Sequence, residues 1–128
     1  MRSIFLSLVA ASVLILSIIF FASGKTNNQN VPVNNVTIQN GVQIVEITAK
    51  GGYTPRKSSA KAGLQTILRV DTNGTFDCSS SIRIPSKNIS KLLPSSGVTD
   101  LDLGITNAGI LAGTCGMGMY PFEIDFQS

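Results

Sequence analysis

Short alternations of apolar and polar residues, broken by turn residues about every ten positions, run from Val42 to the end of the chain. No other feature of the sequence constrains the fold as much. A β-strand turns successive side chains to opposite faces, so a period of two is what one buried and one solvated face requires. "VQIVEITA" (Val42 to Ala49) sets Val45, Ile47 and Ala49 on one face, and "GGYTP" (Gly51 to Pro55) then marks a turn. "TILRV" (Thr66 to Val70) is short and β-branched, and "DTNG" ends it. "SIRIP" turns Ile82 and Ile84 inward and Arg83 outward, and "LDLGI" alternates around an outward Asp102. "FEIDF" sets Phe122, Ile124 and Phe126 against Glu123 and Asp125. No helix-length period of 3.6 competes with this rhythm, although "SKNISKLLP" (Ser86 to Pro94) has room for one helical turn. The pattern predicts an all-β fold, an antiparallel β-sandwich or barrel.

The amino terminus obeys a different rule. From Ile4 to Ala22 the chain runs nineteen residues without a charge. As a helix that is about 28 Å, close to the hydrocarbon thickness of a bilayer. A cleaved signal peptide has a shorter apolar core and a small-x-small cleavage site, for which Ala22-Ser23-Gly24 would serve. The length of the core favours an uncleaved transmembrane anchor over residues 1–24. Arg2 and the amino terminus flank one side, and Lys25 stands alone on the other until Lys50. The positive-inside bias therefore leans toward a single-pass plasma-membrane protein with its soluble part outside the cytoplasm. Between Gly24 and Gly41 lie six Asn and two Gln. A tract this polar cannot bury enough apolar surface to fold alone, so residues 25–41 are expected to be a flexible linker and residues 42–128 the folded domain.

Composition removes several function classes. Charged residues make up 13% of the 128, the net charge is +3, and no basic cluster is interleaved with aromatics, so nothing supports nucleic-acid binding. The chain has no histidine. A blue-copper electron-transfer centre of two His, one Cys and an axial Met cannot be assembled, nor can a Ser-His or Cys-His nucleophile pair. No catalytic constellation is present, and the chain is expected not to be an enzyme.

The sulfur residues are concentrated. Beyond Met1 the chain has two methionines, Met117 and Met119, and both lie within four residues of Cys115, one of its two cysteines, in "GTCGMGMYPF". On an extended backbone Cys115, Met117 and Met119 project to one side, and Gly116 and Gly118 between them let the chain curl closely around something small. Thiolate and thioether donors select Cu(I) over harder ions. Zinc would want better ligands than thioethers. Cys78 is the other thiol. Two readings stay open on these residues. Cys78, Cys115, Met117 and Met119 form a Cu(I) site, or the two cysteines form a disulfide that staples an extracellular β-sandwich of structural or interaction role, with both methionines in its core. Asp77 beside Cys78 reads as a turn residue, Tyr53 and Pro55 as packing and turn residues, and Arg56, Lys57 and Lys61 as solvated face.

The run "GGYTPRKSSAKAG", the "DCSS" around Cys78, the pair Ile84-Pro85 and the terminal "CGMGMYPFEIDF" resemble a small cupredoxin-like domain. That domain occurs alone behind an N-terminal anchor and fused to bacterial heavy-metal transport proteins, among them membrane-anchored Cu(I) chaperones and copper-exporting P-type ATPases. The resemblance spans about Val42 to Phe126, and Cys-x-Met-Gly-Met is its most specific element. It implies a Greek-key cupredoxin sandwich with Cys78 and Cys115 as thiolate ligands. Met117 and Met119 would complete one or two Cu(I) sites. It further implies a copper-tolerance or trafficking role, with a copper-transporting P-type ATPase or another thiol-bearing acceptor as partner. Ser58 departs from the pattern, which has a large apolar residue there.

Overall fold

The computed structural model describes residues 34–128, together with Ile4, Val9, Ala10, Ser12 and Val13 near the amino terminus, which are helical. The chain divides into two units, Met1–Pro32 and Val33–Ser128. Among the described residues no helix is long and apolar enough to cross a membrane. The anchor expected over residues 1–24, those five positions apart, and residues 25–33 of the linker expected over residues 25–41 lie outside the described residues.

The second unit is all-β, as the alternation requires. One sheet has the order β1 (Val36–Gln39), β2 (Val42–Ala49), β5 (Gln65–Thr72), β8 (Gly97–Ile105), with β3 (Tyr53–Thr54) paired to the end of β2. The other has the order β4 (Lys57–Lys61), β10 (Pro121–Gln127), β9 (Gly109–Cys115), β6 (Ser81–Ile84), β7 (Ile89–Leu92). The inward residues of both sheets form one core: Val45, Ile47 and Ala49, Leu68 and Val70, Leu101 and Leu103 from the first; Ile82 and Ile84, Leu111, Phe122, Ile124 and Phe126 from the second. Every inward residue predicted on Val42 to Ala49, Ser81 to Pro85 and Phe122 to Phe126 is buried.

Two expectations need correction. The sheets are mixed rather than antiparallel, because β2 runs parallel to β5 and β4 parallel to β10. Alternation reports which face of a strand is buried and is silent on the direction of its neighbour. Between β2 and β5 the chain leaves the first sheet to lay β4 on the edge of the second. It then re-enters beside β2 in the same direction, as a parallel pair demands. The expected linker also runs too far, for Val36–Gln39 pairs antiparallel with β2 across a two-residue turn. Asn40 (φ 52°) and Gly41 (φ 79°) both take the left-handed conformation of the type I′ hairpin, for which Asn-Gly is the preferred pair. The polar composition of the tract concealed that signal.

Ser86 to Pro94 divides likewise. A single 3-10 turn occupies Pro85–Lys87, stopped by Asn88 at φ 55°, and β7 takes Ile89–Leu92. Ser58, where the resemblance has a large apolar residue, is buried on β4 and accepts a hydrogen bond from Asn35 Nδ2 at 2.8 Å. The same amide donates to the Glu46 carbonyl at 2.9 Å, so a polar pair fills the place of an apolar side chain. Gln43 is fully buried and joins the two sheets. Its Nε2 donates to the Lys61 carbonyl and to Thr66 Oγ1, both at 3.0 Å, and its Oε1 accepts from the Lys61 N–H at 2.9 Å.

Candidate metal centre

Cys115 is the last residue of β9, opposite Ile82 of β6, and its side chain is fully buried at the end of the core. Cys78 opens a 3-10 turn, Cys78–Ser80, between β5 and β6, and is only partly buried against the same cluster. The two sulfurs are bonded, with the Cα atoms 5.7 Å apart. The bond is the pairing that the disulfide reading expects, and it puts side by side the two sulfurs that the Cu(I) reading names.

The turn that carries Cys78 is held from three sides. Asp77 caps it, accepting from the Ser79 N–H at 2.8 Å, from the Ser79 hydroxyl, and from the Gly51 N–H at 2.6 Å. Those hydrogen bonds, the Ser79 hydroxyl first, hold the Asp77 carboxyl below the usual carboxylate range. Asp77 is thus a cap, as its short polar side chain before a turn suggests. Tyr53, buried on β3, reaches the turn with its phenol, which lies 3.2 Å from the Ser79 carbonyl and 3.3 Å from that of Ser81. Burial, and next the charge of Asp77, push that phenol upward, so it stays a neutral donor. Beyond the turn, the Leu93 N–H donates to the Ser80 carbonyl at 2.7 Å.

Met117 and Met119 lie on the connection between β9 and β10, where the expected alternation stops. The Cys115 N–H bonds the Tyr120 carbonyl at 3.1 Å and the Gly118 N–H bonds the Cys115 carbonyl at 2.9 Å, so the chain reverses directly after the cysteine. Gly118 takes φ 77°. Gly116 donates to the Ser81 carbonyl at 2.8 Å, and a Cβ there would stand 2.7 Å from Ser81 Oγ. A side chain here would crowd Ser81, so glycine suits this close approach. The reversal leaves Met117 80% and Met119 61% exposed. They are not core residues, which removes the buried placement that the disulfide-only reading required of them. Phe76, two residues before Cys78, is 85% exposed and adds an apolar rim that the alternation did not flag.

All four sulfur residues predicted for the site thus sit at one end of the sandwich, at the end of β9, on the connection that follows it and on the turn before β6. The cysteines are bonded, Cys115 buried and Cys78 partly buried, and the methionines are exposed. Among the described residues no group of three or more His, Cys, Asp or Glu that could hold a metal ion gathers anywhere. As dithiolate and thioethers the set is chemically soft and fits Cu(I); as a disulfide it offers only the thioethers.

This architecture belongs to a class of small all-β domains that solved copper proteins also use. The chain is similar in fold to the metal-binding domain of the Cu(I)-exporting P-type ATPase CopA of Streptococcus pneumoniae, solved with Cu(I). The TM-score is 0.66 at 18% identity, over 73% of this chain and 93% of that one. It is similar also to a copper-binding protein solved in its apo form, with TM-score 0.66 at 23% identity, over 72% of this chain and 94% of that one. No protein-family model and no curated protein sequence matches the chain.

Proposed function

We propose that this chain is a non-enzymatic, membrane-tethered Cu(I)-binding protein with a cupredoxin-like domain, which sequesters copper or hands it on in copper tolerance or trafficking. In its dithiol form Cys78 and Cys115 supply thiolates, and Met117 and Met119 complete the coordination of one or two ions. The observation that carries the reading is the placement of every sulfur residue of the domain at one end of a sandwich that copper-binding domains share. Exposed thioethers on a glycine-hinged loop exchange ligands readily. An ion held there passes to an incoming thiol through a shared-ligand intermediate, which suits a copper-exporting ATPase or another thiol-bearing acceptor as recipient. The apolar stretch Ile4 to Ala22 is the tether, with the domain on the extracytoplasmic side of the plasma membrane.

The bond between Cys78 and Cys115 favours a second reading, a disulfide-stapled module that binds no metal. Anaerobic titration of the reduced chain with Cu(I) against a competing chelator separates the two. Tight binding that Cys115→Ser weakens by about 100-fold or more, and that Met117→Leu with Met119→Leu weakens by about tenfold, supports the copper site. Weak binding that Cys115→Ser leaves unchanged ends it.

A further inference from the structure

The two bonded sulfurs are not equivalent. Cys115 is fully buried at the end of β9, whereas Cys78 is partly exposed on a surface turn. A thiolate attacks a disulfide in line with the S–S bond, so the reachable sulfur takes the nucleophile and the other leaves. We infer that Cys78–Cys115 is an exchange-active disulfide whose substrates are small thiols, attacked at Cys78 Sγ with Cys115 as the leaving group. The electron pair of the incoming thiolate forms a new S–S bond to Cys78. The pair of the old bond departs on Cys115, which becomes a thiolate and takes a proton from water. A second thiol attacks the external sulfur of the mixed disulfide and frees Cys78. In sum, two thiols become one disulfide while the protein gains two electrons and two protons.

The surroundings suit this chemistry. The Asp77 carboxylate beside Cys78 is engaged by the Gly51 and Ser79 N–H groups and the Ser79 hydroxyl, and Lys50 lies near enough to offset its charge. The exposed thioethers of Met117 and Met119 cannot exchange and stay in place through the reaction. The consequence for metal rests on the copper reading above: the oxidised domain lacks its two thiolates, and thiol attack at Cys78 opens the site.

The direction of attack is tested on the unmodified full-length chain with a limiting amount of glutathione, an acid quench and alkylation of the freed thiol. Peptide mapping should find glutathione on Cys78 and the alkyl group on Cys115 in about tenfold excess over the reverse pattern. An equal or inverted distribution, or no adduct at all, overturns the assignment. A second arm compares Cu(I) affinity before and after reduction, with the reductant removed. The reduced chain should bind about 100-fold more tightly. Equal tight binding by both forms overturns the gate and the ligation by the cysteines, and leaves only copper binding through other donors; absence of binding in both overturns the copper reading and the gate together, while the mapping still decides the exchange chemistry.

Discussion

Phe122 on β10 lies across Gly113, its partner on β9, so closely that a Cβ on Gly113 would overlap the ring. The displaced surface of Phe122 meets Tyr53 edge-on, with centroids 4.9 Å apart and the rings at 61°. Tyr53 in turn bonds the carbonyls of Ser79 and Ser81 around the Cys78 turn. A glycine in mid-strand thus sets the position of an aromatic pair that ends at the Cys78 turn. Gly113→Ala should cost about 1–3 kcal/mol by overpacking, read as a lower denaturant midpoint with unchanged slope. Tyr53→Phe keeps the ring contact and removes the phenol's bonds to those carbonyls, so its loss should be about 1 kcal/mol.

Gln43 offers a sharper test of the joint between the sheets. Its amide satisfies both the N–H and the carbonyl of Lys61 from inside the core. Gln43→Leu retains the volume and strands those backbone groups away from water, so destabilisation of about 2–4 kcal/mol is expected from chemical unfolding. A neutral result would show that the two strands are held by packing alone.

Stability should fall at both extremes of pH, for different residues. The carboxyl of Asp77 is held low by the Ser79 and Gly51 bonds, and that of Asp100 by hydrogen bonding to Arg69, at 2.8 and 3.0 Å, across the β5–β8 pair. A depressed folded value means their contribution is present above the unfolded value of about 3.9 and is lost as pH drops through the folded one. Thermal scans should show an acid limb that Asp77→Asn and Asp100→Asn each flatten. Tyr53 has the opposite sign: burial raises it, so its contribution is intact below the unfolded value of about 10 and is lost in stronger alkali. Tyr53→Phe should remove that alkaline limb.

Reduction and metal should act on the same bond in opposite senses. The disulfide spans 37 residues and restrains the unfolded chain by about 4 kcal/mol in the loop-entropy treatment. Reduction should therefore lower the melting temperature, and Cu(I) should restore much of the loss by bridging the same two sulfurs in the folded state. Calorimetry of the oxidised, reduced and copper-loaded chains checks this. A reduced chain that Cu(I) does not stabilise would argue against ligation by the cysteines.

The inward faces of β2, β6 and β10 were legible residue by residue, because burial imprints its period of two on a strand whatever lies beside it. The gathering of donors was legible for Cys115, Met117 and Met119 only as proximity along the chain. Their division into one buried sulfur and two exposed ones follows from the reversal at Gly116 to Gly118, which depends on hydrogen bonds to Ser81 and Tyr120. The partner of Asn35 at Ser58 and that of Gln43 at Lys61 lie 23 and 18 positions away, and nothing local announced them.

What the amino-acid order alone determined is therefore the class of secondary structure, the buried face of each main strand and the softness of the donor set, since periodicity and side-chain chemistry are local properties. Strand direction, the pairing of β4 with β10, and the inequality of Cys78 and Cys115 were decided only by the packed domain. Each of these depends on which distant segment covers a given backbone edge or side chain, and that is a property of the assembled sheets.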